Sequence, residues 1–270
     1  MKHSELIRKL RKERGLTQSQ LAEGICSRGT ISGLEKGISQ PSFEIITQLI
    51  DRLNLSLSEY DFILREKQFT KKQKDLIYIV NNPEEIDSLL TRYKETNDFY
   101  YYWIYIQRML VLEKKRGKTS FNEYYKEREN IEKRLNQIEE WTSFECALFI
   151  NSLFLFDDDF IFRKYDLNMK EMLDQQYVSQ YADIYSAFLL NAVTLFFERD
   201  NAMLRDYFLR ELNQKSMRPQ EIYYKMHVTF FDALISKQYI AAEKIILWFN
   251  IMKYENKGDE LKRFLEKHKK

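Results

Sequence analysis

Three stretches decide the reading of this chain: Leu16-Thr17-Gln18-Ser19-Gln20-Leu21-Ala22, then Ser27-Arg28-Gly29-Thr30-Ile31-Ser32-Gly33-Leu34-Glu35-Lys36-Gly37, then Pro41-Ser42. Thr17 and Gln20 have the spacing of a capping box, in which a hydroxyl and a carboxamide reciprocally satisfy the free N–H groups of a helix start. Leu21, Ala22 and Ile25 follow on the inward side. Ser27 is placed to cap the next helix, whose inward residues are Ile31 and Leu34. Gly37 stops it, because glycine accepts the left-handed conformation that ends helices at little cost. The spacing therefore predicts two short helices joined by a tight turn at Gly24-Ile25-Cys26.

Working outward, Leu6, Ile7 and Leu10 share one face of a first helix over residues 4–14, with Gly15 as its stop. Pro41-Ser42 opens a fourth helix carrying Ile45, Ile46, Leu49 and Leu53. Ser56 or Ser58 opens a fifth, carrying Tyr60, Ile63 and Leu64. Five of the seven glycines lie within the first 37 residues, whereas Phe43, Tyr60 and Phe62 are the only aromatics before Phe69. This change of character predicts a domain over 1–66, a linker over 67–72 and a second domain over 73–270. Scarce glycine and proline make both domains all-α.

The net charge of +2 argues against a broadly basic nucleic-acid coat, though a local basic patch remains open. Cys26 and Cys146 are too few for a disulfide framework and read as reduced thiols of a cytoplasmic protein. No apolar signal segment follows Met1, and the most apolar stretch, over 146–156, is too short to span a bilayer. His3, His227 and His268 are isolated, with no His-Glu-x-x-His and no paired cysteines, so neither a metal nor a cofactor is expected, and no glycine-rich phosphate loop supports an enzyme. Asp157-Asp158-Asp159 reads as the cap of a following helix, and the terminal Lys267-His268-Lys269-Lys270 as a solvated tail.

The three stretches together resemble the phage-repressor/Cro type of helix-turn-helix. The order Ile25-Cys26, Ile31-Ser32, Leu34-Glu35, Gly37 and Pro41-Ser42 is similar to the Rgg/PlcR group of peptide-sensing transcription regulators of Gram-positive bacteria (the RRNPP type). That resemblance implies a second helix lodged in the DNA major groove and a first lying across the backbone. Gln18 would contact phosphate, and Ser27, Arg28, Gly29, Thr30 and Gly33 would face the groove. Arg28 is the main base reader, since its fork matches O6 and N7 of guanine. Thr30 and Ser32 could touch a base edge or a phosphate, and Lys36 would neutralise phosphate. Glycines at 29 and 33 depart from the polar side chains usual there, which shifts part of the specificity to backbone approach or DNA shape. The resemblance also implies an Arg11–Glu35 brace. The cluster Arg8, Lys9, Arg11, Lys12 and Arg14 reads equally as phosphate contacts or as a solvated helix face.

In the second domain, the string from Ala147 to Phe156 resembles that from Ala187 to Phe196, with weaker echoes around Arg108 and Asp232. A period near 40 residues fits stacked helix pairs, a tetratricopeptide-like helical repeat. Lys115-Arg116-Gly117-Lys118 would end one helix, and Pro83 and Arg218-Pro219 would begin others. The resemblance implies that this domain dimerises and binds a short signalling peptide. Arg108, Asn151, Asn191 and Asp232 interrupt apolar helices at intervals of 43, 40 and 41 residues. A carboxamide can pair with both groups of a peptide backbone, and an arginine with a carboxylate. Tyr105, Tyr185 and Tyr224 could line side-chain pockets. The alternative is that these seven residues serve the core and the helix contacts. The run Phe99-Tyr100-Tyr101-Tyr102-Trp103 reads as repeat core.

The expected protein is a cytoplasmic homodimer that binds a promoter repeat in double-stranded DNA under control of a peptide, as in quorum sensing, with RNA polymerase a further partner to consider. Two alternatives stand beside it. One is a phage- or mobile-element-type repressor. The other is a regulator whose repeats bind another protein.

Overall fold

The structure, a computed structural model, describes residues 1–115, 125–170 and 179–269, and every element among them is helical. Two compact units divide the chain, Met1–Glu85 and Ile86–Lys270. Arg116, Gly117 and Lys118 of the expected helix end, and Lys270 of the terminal run, lie outside the described residues.

The first unit contains the five expected helices, α1 (His3–Glu13), α2 (Gln18–Ala22), α3 (Arg28–Glu35), α4 (Phe43–Arg52) and α5 (Leu57–Leu64), and adds α6 (Lys71–Asn81). Thr17 and Gln20 form the reciprocal box at the start of α2, with N–H to side-chain distances of 3.2 and 2.8 Å. The hydroxyls of Ser27, Ser42 and Ser56 accept from the third residue of α3, α4 and α5. Gly15 and Gly37 both take positive φ, at +68° and +70°, where a side chain would be strained. Leu6, Ile7, Leu21, Ile31, Leu49 and Leu53 are fully buried at the centre. The shift in composition falls before α6 and the compact division after it, so α6 is the element between them.

The second unit runs α7 (Asp87–Thr96), α8 (Phe99–Lys115), α9 (Tyr125–Gln137), α10 (Ser143–Ser152) and α11 (Asp158–Lys164), with a wide π turn over Tyr165–Met169. It continues as α12 (Ser179–Glu198), α13 (Ala202–Lys215), α14 (Ile222–Ile235), α15 (Tyr239–Ile251) and α16 (Glu255–His268). Neighbours along the chain pack as pairs: α7 on α8, α12 on α13, and α14 on α15. The inner members form a second series, α8 on α10, α10 on α12 and α12 on α14. Stacked aromatics fill the core, with Phe149 and Phe188 at 5.8 Å and Phe196 and Phe208 at 5.5 Å. Tyr101 and Trp103 belong to this unit's buried set, although Phe99 of the same run is half exposed.

Asp157 caps α11 through the Phe160 N–H at 2.8 Å, and Asp158 pairs with Arg199 at 2.6 Å and Asn201 at 2.7 Å. The acidic run is thus a structural joint. Of the terminal run, Lys267 and Lys269 are exposed as expected, whereas His268 departs: α16 reaches it, and its ring stacks on Phe264 at 4.3 Å and meets Phe197 edge-on at 5.1 Å. An imidazole so close to two phenyl rings gains more from packing than from water.

Candidate nucleic-acid interface and repeat-domain groove

In the first unit, Arg11 and Glu35 meet as a bidentate buried pair, Nε to Oε1 at 2.6 Å and Nη2 to Oε2 at 3.0 Å. Arg11 Nη1 also donates to the Leu16 carbonyl at 2.6 Å, which ties α1 to the turn before α2. Gln18 completes the cluster by donating to Glu35 Oε2 at 3.0 Å. Burial works to raise the Glu35 carboxyl, yet the hydrogen bonds from Arg11 and Gln18 outweigh it and hold the group below the usual carboxylate range. This network fixes α3 against α1 and α2. Gln18 is therefore partly committed to the brace, and phosphate contact would have to share its carboxamide.

The first turn of α3 is presented outward. Arg28 and Gly29 are exposed, and Lys36 is exposed just past its end. Ser27 Oγ caps the helix through the Thr30 N–H and lies 3.0 Å from Thr30 Oγ1, so both hydroxyls have work inside the fold. Ser32 and Gly33 are half buried. The Gly33 carbonyl accepts from the Ile38 and Ser39 N–H groups, and an added Cβ would meet the Ser39 hydroxyl, which is exposed and would have to turn aside. Sequence reasoning missed Arg52, which donates from α4 to the carbonyls of Gln20 and Glu23 at the end of α2. The signal was a cation available to a helix C-terminus, but its partner was not predictable from spacing.

In the second unit, a groove of about 1020 Å³ opens along the inner helices. Asn151 on α10 and Asn191 on α12 are both exposed and both line it. So do Val111 on α8 and Phe231 on α14, which extends an unbroken forty-residue register of 111, 151, 191 and 231. Arg108 and Asp232, chosen three residues and one residue off that register, do not line the groove. Each residue of offset turns a helical side chain by about 100°. Arg108 is half buried, with its Nε unpartnered, and Asp232 is exposed outside the groove.

Tyr185 is a core residue, 3% exposed, its hydroxyl 3.1 Å from that of Tyr165 and 3.4 Å from Glu211. It is corrected from pocket to core because α12 turns that side into the aromatic stack. Tyr105 and Tyr224 are half buried against the core, and burial pushes the Tyr224 hydroxyl up to about 12. The far wall of the groove comes from α16, through Lys257, Asp259, Glu260 and Arg263. No group of residues suited to holding a metal ion occurs among the described residues.

Comparison with known families matches residues 7–60 to the helix-turn-helix and residues 81–262 to the C-terminal domain of the HTH-type transcriptional regulator Rgg. No curated protein sequence matches the chain. Among solved structures, the chain is similar to the SHP pheromone receptor Rgg2 of Streptococcus dysgalactiae, with 14% identity, a TM-score of 0.72, and coverage of 98% of this chain and 99% of that one. It is also similar to PrgX solved in complex with cCF10, with 17% identity, a TM-score of 0.68 and 99% coverage of both chains. At these identities the likeness shows the shared fold.

Proposed function

The chain belongs to the Rgg family of HTH-type transcriptional regulators, and from that membership we propose that it binds a promoter repeat in the cytoplasm as a homodimer whose affinity is set by a short signalling peptide in the groove. The observation that carries the peptide reading is the pair Asn151 and Asn191, exposed on successive inner helices and facing one groove of about 1020 Å³. Carboxamides at such spacing can hold an extended backbone by donor and acceptor together. Solved neighbours of this fold described as a pheromone receptor and as a bacterial peptide pheromone/receptor complex support it.

DNA contact rests on α3, whose exposed first turn offers Arg28 to base edges while Lys36 meets phosphate. The dimer reading draws on α15, where Ile240, Leu247, Trp248 and Ile251 form a stripe with each residue more than half exposed. Large contiguous apolar patches are rare on the surface of a monomer, and this one is apolar as a surface covered by a second copy would be. Peptide and DNA need be coupled by only about 1–3 kcal/mol for control to be effective.

The test is Asn191→Ala. Its DNA affinity and cooperative melting are expected to match wild type, while the peptide-dependent change in transcription from the native promoter is lost. A variant that still responds to its signal would contradict the reading.

A further inference from the structure

The forty-residue register makes Gln107, Ala147, Ala187 and His227 equivalent positions. Two of them carry only a methyl group. Gln107 is buried but satisfied, its Nε2 donating to the Ala147 carbonyl at 2.7 Å. His227 is 1% exposed and borders the groove one turn from Phe231. Its Nδ1 lies 2.8 Å from the Tyr223 carbonyl. A carbonyl only accepts, so Nδ1 carries the hydrogen. Burial pushes this imidazole down to about 4, which keeps it neutral near pH 7. Nε2 is consequently a bare acceptor, and it has no hydrogen-bond partner. The rings of Tyr223 at 4.6 Å and Phe249 at 5.1 Å pack against the imidazole without giving Nε2 a donor. A buried acceptor without a partner costs stability, and the earlier repeats avoid that cost at this position.

Resting on the peptide reading above, we propose that His227 is a ligand-contacting residue that sets the register of the peptide in the groove, its Nε2 accepting a hydrogen bond from a backbone N–H of the bound peptide. Asn151 and Asn191 can serve either polarity of a backbone, whereas His227 serves donors alone and rejects a carbonyl or carboxylate at its station. The charged groups that act on the ring are Lys257 and Glu260, linked at 2.8 Å on α16. Nε2 is shielded from water in the free chain, so a peptide reaches it by displacing groove-lining side chains.

The experiment uses the full chain and a pool of fluorescein-labelled apolar octapeptides. The tightest binder is resynthesised as a series in which each backbone N–H in turn is replaced by an ester oxygen. One ester is expected to weaken wild-type binding about tenfold and to cost nothing further on His227→Phe. His227→Gln, whose Oε1 accepts at similar reach, is expected to restore sensitivity to that same ester. Esters that act alike on wild type and His227→Phe overturn the inference while the peptide reading stands. If no octapeptide binds wild type, the peptide reading falls and takes the inference with it. Should His227→Phe fail to fold, the ¹⁵N shift of Nε2 in wild type decides: a move on peptide binding supports the inference and an unmoved signal overturns it.

Discussion

The headpiece and the repeat domain handle their buried polar groups in opposite ways. In the headpiece, Arg11, Glu35, Gln18 and the Leu16 carbonyl satisfy one another, and the capping hydroxyls of Thr17, Ser27 and Ser42 satisfy helix ends. In the repeat domain, Trp103 Nε1, Arg108 Nε and His227 Nε2 are buried with no partner. A closed network makes a rigid mount for α3, which suits a reader of fixed duplex geometry. Of these three atoms only His227 Nε2 belongs to a residue that lines the groove, and it is the one the proposal above assigns to a ligand.

The contrast breaks most severely at the brace. Glu35→Ala strands the Arg11 guanidinium in a site where it is 9% exposed, and removing one partner of a buried pair costs about 3–5 kcal/mol. Thermal melting followed by DNA binding is expected to show the headpiece unfolding early while the groove still binds its ligand. Simultaneous loss of both would mean that the units are not independent in this sense.

Acid sharpens the same contrast. His227 binds its proton less readily in the fold than in the unfolded chain, so its contribution is complete above about pH 6.5 and falls as pH drops toward 4. The loss amounts to about 3 kcal/mol for the repeat domain. Glu35 has a lowered carboxyl, so its contribution holds above the usual carboxylate range and is lost only as pH falls through the still lower folded value. Denaturant melts between pH 7 and 4.5 are expected to show the repeat domain weakening first, with His227→Gln flattening the slope. Equal acid sensitivity of the two units would contradict this.

The smallest expected effect concerns surface rather than core. Leu247 is 57% exposed on the α15 stripe, so Leu247→Glu should leave melting unchanged. Its dimer dissociation constant, read by analytical ultracentrifugation, should rise at least about tenfold. An unaltered constant would move the dimer contact to another face.

How much of this was legible in the residues follows the same line. The headpiece could be read almost element by element, because capping boxes, glycine stops and the 3.6-residue period are local signals. The groove was legible only in its central pair: Asn151 and Asn191 lie in strings alike enough to align. Arg108 and Asp232 were chosen from weak echoes and missed the register that Val111 and Phe231 keep. A shift of one residue is invisible in a blurred repeat but turns a side chain out of the groove. Tyr185 was misjudged for a related reason, since aromatics in apolar helices look the same whether they face a pocket or the core. His227 gave no sequence signal at all, because an orphan acceptor is defined by what three-dimensional packing fails to supply.

The claim on which the rest depends is that α3 reads bases through Arg28. Selection of bound duplexes from a random pool, carried out in parallel with wild type and Arg28→Ala, tests it most directly. The expected result is a repeated half-site containing a guanine for wild type, with preference at that guanine alone relaxed, by about 1–3 kcal/mol, in the variant. Recovery of the same motif at the same strength by both proteins would contradict the account.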